Sequence, residues 1–174
     1  MTVSFSFYLF WMIAFIGFPI GSGISQLVIG SVNNPGRALL SGLITGAVIG
    51  LAQWIVLNRV LALDLRWVIV TAVGMALGLS ISVAIFGTET AGNALIFRAV
   101  ITGLVIGLAQ WFVLRDLVPM IGWWIVAIGA GWAIAWTITR AFGVDLSHNW
   151  SVFGSSGAIV FQLLTALVWR LLLP

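Results

Sequence analysis

Few residues in this chain could do chemistry. Its 174 residues include one histidine, no cysteine, four acids and seven arginines. Without cysteine there are no disulfides, thiolate nucleophiles, iron–sulfur clusters or Cys-ligated zinc. One imidazole cannot build a His-rich metal site or a bis-His haem within one chain. The histidine stands in Asp145-Leu146-Ser147-His148, which gathers the three residue types of a hydrolase triad. Triads are defined by geometry, and neighbouring positions of one loop seldom supply it. The stretch therefore reads as a polar loop. Asn149-Trp150-Ser151 fits a glycosylation sequon but has no secretory context.

A second chemical pattern is amide and aromatic. Residues 41–60 read SGLITGAVIGLAQWIVLNRV, and residues 98–117 read RAVITGLVIGLAQWFVLRDL. At a spacing of 57 residues Thr45 falls on Thr102, Gly46 on Gly103, Gly50 on Gly107, Gln53 on Gln110 and Trp54 on Trp111. The steps Gly42, Gly46, Gly50, Gln53 and Ala99, Gly103, Gly107, Gln110 keep each set on one helix face. Gly74 and Gly78 form a shorter version. In an apolar solvent such faces let another backbone come close, so they are assigned to helix packing. Gln53 and Gln110 end the stripe and should point at protein. Buried amides need partners. They are read either as an interhelical hydrogen bond or as the lining of a polar pocket.

The elements that position these residues follow from composition. The chain is 62% apolar and 6% charged, against about 25% charged in soluble domains. That composition suits lipid. The net charge of +3 comes from arginines spread singly. Nucleic-acid binding needs a clustered basic face and is excluded. Arginines at the ends of apolar runs suit headgroup anchoring.

Six runs of about 20 residues, each long enough to cross a bilayer, are expected at 5–30, 38–57, 67–86, 94–114, 123–142 and 152–173. The first lacks a basic leader and is followed by further spans, so it is read as retained. Pro19 should kink it. Residues 31–36 read as a turn, and Ser155 and Ser156 as caps of the sixth run. Trp67 falls on Trp124 at the same 57-residue offset, and Trp11 on Trp67 at 56. The fold expected is therefore all-α and integral to the membrane, one domain over 1–174. It has six transmembrane helices as three tandem two-helix hairpin repeats of about 57 residues (about 5–60, 61–117 and 118–174). Even numbers of spans make the repeats parallel. In the third copy Phe161, Thr165 and Val168 replace Gly103, Gly107 and Gln110. The arginine count leans to both termini in the cytoplasm.

In this layout Trp11, Trp67, Trp123, Trp124, Trp54, Trp111 and Trp169 share one level. They are read as an interfacial girdle, or else as a cleft that Trp and Gln line for a lipid, a pigment or a flat aromatic molecule. Trp132 and Trp136 lie deeper and either fill space or touch a ligand or partner helix. No charge falls at the centre of a run, which argues against proton coupling and voltage sensing.

Gly154-Ser155-Ser156-Gly157 resembles the Gly-x-Ser-Gly of rhomboid intramembrane proteases, which have a six-helix core. That family places its histidine on a later helix. Here His148 precedes the serines, and no base follows, so the protease is set aside. The two Gly-Leu-Ala-Gln-Trp-x-Val-Leu copies (50–57 and 107–114), with Trp67 or Trp123-Trp124 following, resemble a group of small bacterial multi-pass membrane proteins with repeated Gly-rich Gln-Trp hairpins. The resemblance covers most of the chain from about residue 38. It implies the fold and a bacterial inner membrane, and no activity.

The function expected is non-enzymatic. The leading reading is an accessory or packing subunit that associates with other membrane helices as a homo- or hetero-oligomer. The alternatives are a binder or permease for a neutral or lipid-like solute, and an oligomeric channel. No cofactor or metal is expected. A bound lipid or pigment is compatible with the sequence.

Overall fold

The computed structural model describes residues 4–90 and 93–173. These form six helices, each long and apolar enough to cross a membrane: α1 Phe5–Val28, α2 Pro35–Leu61, α3 Arg66–Phe86, α4 Ala94–Leu114, α5 Gly122–Ala141 and α6 Ser155–Leu172. Among the described residues there is no strand.

Local chemistry sets the helix ends. Pro35 occupies the first turn of α2, where its missing N–H costs nothing, and the Asn34 side chain accepts from the backbone N–H of Arg37 at 2.9 Å. The turn expected at 31–36 therefore ends at Asn34. Pro19 lies inside α1, and its ring crowds the carbonyl four residues earlier, that of Phe15. The helix tightens into a 3-10 turn over Ala14–Ile16 there and then continues. The sixth helix starts at Ser155 with Gly154 as its N-cap and no side-chain cap bond. Ser155 and Ser156 thus lie inside the helix and do not cap it. Residues 152–154, expected in that helix, belong to the loop before it.

Each helix packs on its sequence neighbours, and α1 packs on α6, which closes a ring. The contacts that close it are made at small residues. A Cβ added to Gly42, Gly46 or Gly50 of α2 would lie 2.6 Å, 2.8 Å and 3.1 Å from the Cα atoms of Ala76, Ala72 and Val68 of α3. Rising numbers on one helix meet falling numbers on the other, so the two run antiparallel. Gly103 and Gly107 of α4 meet Gly129 and Ile125 of α5 in the same way. Gly17 and Gly21 of α1 meet Ile49 and Thr45 of α2, and Gly74 and Gly78 of α3 meet Ile106 and Thr102 of α4. Each of these pairings recurs 57 residues further along both partners. The α5–α6 contact, Gly131 on Phe161 and Gly157 on Ala135, is two residues out of that register.

The seven glycines assigned to helix packing therefore all face helices of the same chain. An exposed glycine in a helix can be replaced by alanine with a gain of up to about 1 kcal/mol. At Gly42 and Gly103 the new methyl would collide with backbone, and overpacking costs about 1–3 kcal/mol. Gly42→Ala and Gly103→Ala should lower the midpoint of unfolding in detergent. Gly23→Ala, where the added atom meets nothing within 4 Å, should leave it unchanged or raise it. Equal effects at all three positions would contradict the packing described.

Candidate functional site

The ring leaves a lumen that side chains fill. Toward the ends of α2, α4 and α6 the filling is a layer of indoles and amides. Trp11, Trp67, Trp124 and Trp169 are fully buried there. Trp169 lies at 4.5 Å from Trp124 and 5.9 Å from Trp11 between ring centroids, and Trp67 at 6.5 Å from Trp124. Of the seven tryptophans read as a surface girdle, only Trp123 is well exposed, at 64%. Trp54 and Trp111 are half-buried, Trp54 donating to the Leu63 carbonyl at 2.8 Å and Trp111 lying under the Arg115 guanidinium. A closed ring needs bulky apolar groups at its axis, and the level facing inward takes them.

Gln53 and Gln110 are buried, at 3% and 2% exposure. Gln110 is satisfied: its Oε1 accepts from Trp124 Nε1–H at 2.8 Å and its Nε2–H donates to the Thr71 hydroxyl at 3.0 Å. Trp11 Nε1–H donates to the Thr165 hydroxyl at 3.0 Å, joining α1 to α6. The third indole of the set, Trp67, and the amide that corresponds to Gln110 do not pair. Trp67 Nε1 and Gln53 Oε1 are both buried without a hydrogen-bond partner. Gln53 Nε2 instead reaches Gln162 Oε1 at 3.5 Å, while Gln162 Nε2–H donates to the Trp11 carbonyl at 2.6 Å. Sequence reasoning missed Gln162, since the two-residue slip of α6 removes it from the 57-residue frame. Its only signal is an amide inside an apolar run. A void of about 10 Å³ lies among Gln53, Thr71, Gln110 and Trp132, room for about one water.

At the other end of the lumen Trp132 and Trp136 hold Phe153, at 5.1 and 6.1 Å between centroids. Phe153 also stacks on Phe18 at 5.2 Å. It belongs to the α5–α6 loop, which turns back into the ring. Ser151 shares hydrogen bonds with Thr45 at 2.8 Å and Ser22 at 3.4 Å, and the backbone N–H of Val32 donates to the Asn149 carbonyl. Ser151, Val152 and Phe153 are buried and plug the ring mouth. With Ser151 buried and Asn149 Oδ1 enclosed, the sequon is not displayed.

Beside the plug, between α1 and the loop, lies a cavity of about 760 Å³. Pro19, Gly23, Phe142 and Val144 give it apolar walls, and Asp145, His148, Ser155 and Ser156 give it a polar rim. The structure thus gathers at one groove the polar residues that the sequence spreads over a loop and a helix start. They do not form a triad. Asp145 Oδ2 and Ser147 Oγ approach the same His148 nitrogen, Nδ1, at 3.5 and 3.4 Å. A triad holds acid and nucleophile on opposite nitrogens. Ser156 Oγ is buried and has no hydrogen-bond partner, His148 included.

The class so defined is a closed ring of six membrane-length helices with a filled lumen, a plugged mouth and a lateral groove. No protein-family model, curated protein or solved structure matches the chain.

Two measurements follow from this geometry. Gln110→Leu strands Trp124 Nε1–H and the Thr71 hydroxyl, so it should cost about 1–3 kcal/mol of stability. Gln53→Leu removes a partnerless oxygen and one long bond and should cost less. The reverse order in a denaturant titration would refute the assignment. The Asp145 carboxyl lies below its ordinary 3.8, held first by the Ser147 backbone N–H and hydroxyl and then by His148. A lowered carboxyl pKa contributes order above the ordinary value and loses it as pH falls through the lowered one. Hydrogen exchange of residues 143–150 should be flat in protection from pH 7 to about 5 and lose protection only below about pH 4. Asp145→Asn should lose it already at pH 7.

Proposed function

We propose that the six helices span a membrane as three tandem hairpin repeats, and that the protein binds an amphipathic, lipid-like molecule in the groove between α1 and the α5–α6 loop, without catalysing a reaction. The groove carries this reading. Its volume of about 760 Å³ falls in the range of small-molecule sites, about 300–1,000 Å³. Its chemistry is graded. Pro19 lies nine residues before the end of α1 at Val28, about 13 Å into the helix, at the depth of acyl chains. The rim of Asp145, His148 and Ser155 sits at the helix ends, where headgroups lie. An alkyl chain would rest on Pro19, Gly23 and Phe142 with its polar head at the rim.

Support for three repeats comes from the helix contacts that recur at 57 residues and from the Trp–amide or Trp–hydroxyl bonds at Gln110 and Thr165. The accessory-subunit reading drew on glycine faces free to receive a partner. Those faces are occupied within the chain, so the groove is the better-supported reading. Conduction along the axis of one ring finds no support in a lumen filled by indoles and phenyl rings.

Gly23 lines the groove, and a side chain there meets nothing within 4 Å. Gly23→Phe should fill the groove while leaving thermal stability intact. Lipid retained by wild type and variant after purification in mild detergent can be extracted and measured by mass spectrometry. The variant should hold about tenfold less of a specific amphiphile, the effect of roughly 1.4 kcal/mol in binding. Retention equal in the two proteins would sink the proposal.

A further inference from the structure

Arg98 stands apart from the other arginines. It lies one turn into α4 and is 7% exposed. Its Nη1–H donates to the Glu89 backbone carbonyl at 3.2 Å, and its Nε has no partner. Among the described residues no carboxylate comes within 4 Å of it: the ion pairs are Asp64–Arg66, Asp116–Arg115 and Asp145–His148. A guanidinium cannot shed its proton in a protein. A buried, uncompensated charge costs several kcal/mol, and here the start of α4 adds the positive end of a helix dipole. Arg98 also lines a void of about 10 Å³ with Leu79, Leu95, Thr102, Trp136 and Trp150. That is room for a single small sphere. Its walls are mostly hydrocarbon and indole, which strengthen any charge interaction inside.

We infer that this void is a binding site for one small monovalent anion, a halide, held by the Arg98 guanidinium under Trp150. A halide accepts from Nε–H, offsets the charge and fits a space too small for an organic acid. Trp150 belongs to the loop that plugs the ring mouth and also lines the lateral groove. Anion binding would therefore hold the plug in place. The inference does not depend on what the groove binds.

The test is thermal unfolding of the whole protein in non-ionic detergent. Sodium chloride replaces sodium gluconate at constant ionic strength. Gluconate is too large for the void. A ligand that binds only the folded state stabilises it in proportion to the logarithm of its saturation. Chloride at ten times its dissociation constant should raise Tm by about 3–6 °C in a chain of this size, saturably. Bromide should substitute for it and give an anomalous diffraction peak beside Arg98 Nε. Arg98→Gln should abolish the chloride dependence. If that variant does not fold, the bromide peak in the wild-type protein decides. No chloride-specific shift in the wild type would mean that the void holds water alone and would overturn the inference. So would a shift that survives in Arg98→Gln, or a bromide peak only elsewhere.

Discussion

Everything in this molecule depends on how closely adjacent helices approach. A ring of six helices has a lumen whose width is set by the spacing of neighbours. Where Gly42, Gly46 and Gly50 meet Ala76, Ala72 and Val68, backbone lies against backbone. The driving force between helices in lipid is packing, not release of water, so small residues make the strongest contacts. Close neighbours draw the ring in until a layer of single indole and phenyl rings fills its axis. Larger residues at the seams would widen the lumen beyond what Trp67, Trp124 and Trp169 can bridge. The glycine seams and the tryptophan axis are two parts of one solution to packing.

Polar groups then enter under strict terms. A buried N–H or C=O without a partner is costly. Each axial indole brings one donor, and the neighbouring even helix must supply an acceptor at the matching level. Gln110 does so for Trp124, and Thr165 for Trp11. The pair Gln53 and Trp67 does not close. The slip of α6 explains part of the difference. It puts Gln162 into the layer, and that amide draws Gln53 Nε2 toward itself. The irregular third of the ring is thus where hydrogen-bonding capacity is left over, next to the small void among the amides.

Much of this was legible in the sequence. Apolar runs separated by short polar patches located all six helices within a few residues, because length and hydropathy suffice for that. The 57-residue copies marked Gly46 and Gly103, and Gln53 and Gln110, as equivalent positions on one face. The direction of those faces was not legible. A glycine stripe reads the same whether it meets a helix of its own chain or of another, and ring closure decides between them. Tryptophans at one level also read alike whether they face headgroups or an axis. The groove was hidden because Pro19, His148 and Ser156 are far apart in the chain. Phe153 looked like the start of a helix because its neighbours Val152 and Phe161 are apolar too.

The α5–α6 loop is the element that a repeat alone would not supply. The links α2–α3 and α4–α5 are short, as tandem hairpins need. The link from Phe142 to Gly154 is long enough to cross the ring mouth. Its charged part, Asp145 to His148, stays outside, and its apolar part turns inward against Trp132 and Trp136. A plug made this way is held by a few hydroxyl bonds and one aromatic cluster, against whole helix seams elsewhere. It is the part of the ring most easily displaced. Arg98 lies beneath it, and the groove lies beside it. A chain that selects small residues along every seam but leaves a guanidinium buried at this point retains a charge where packing alone would favour an apolar side chain. The energetic cost of Arg98 is therefore informative: it concentrates electrostatic leverage under the one segment that can move.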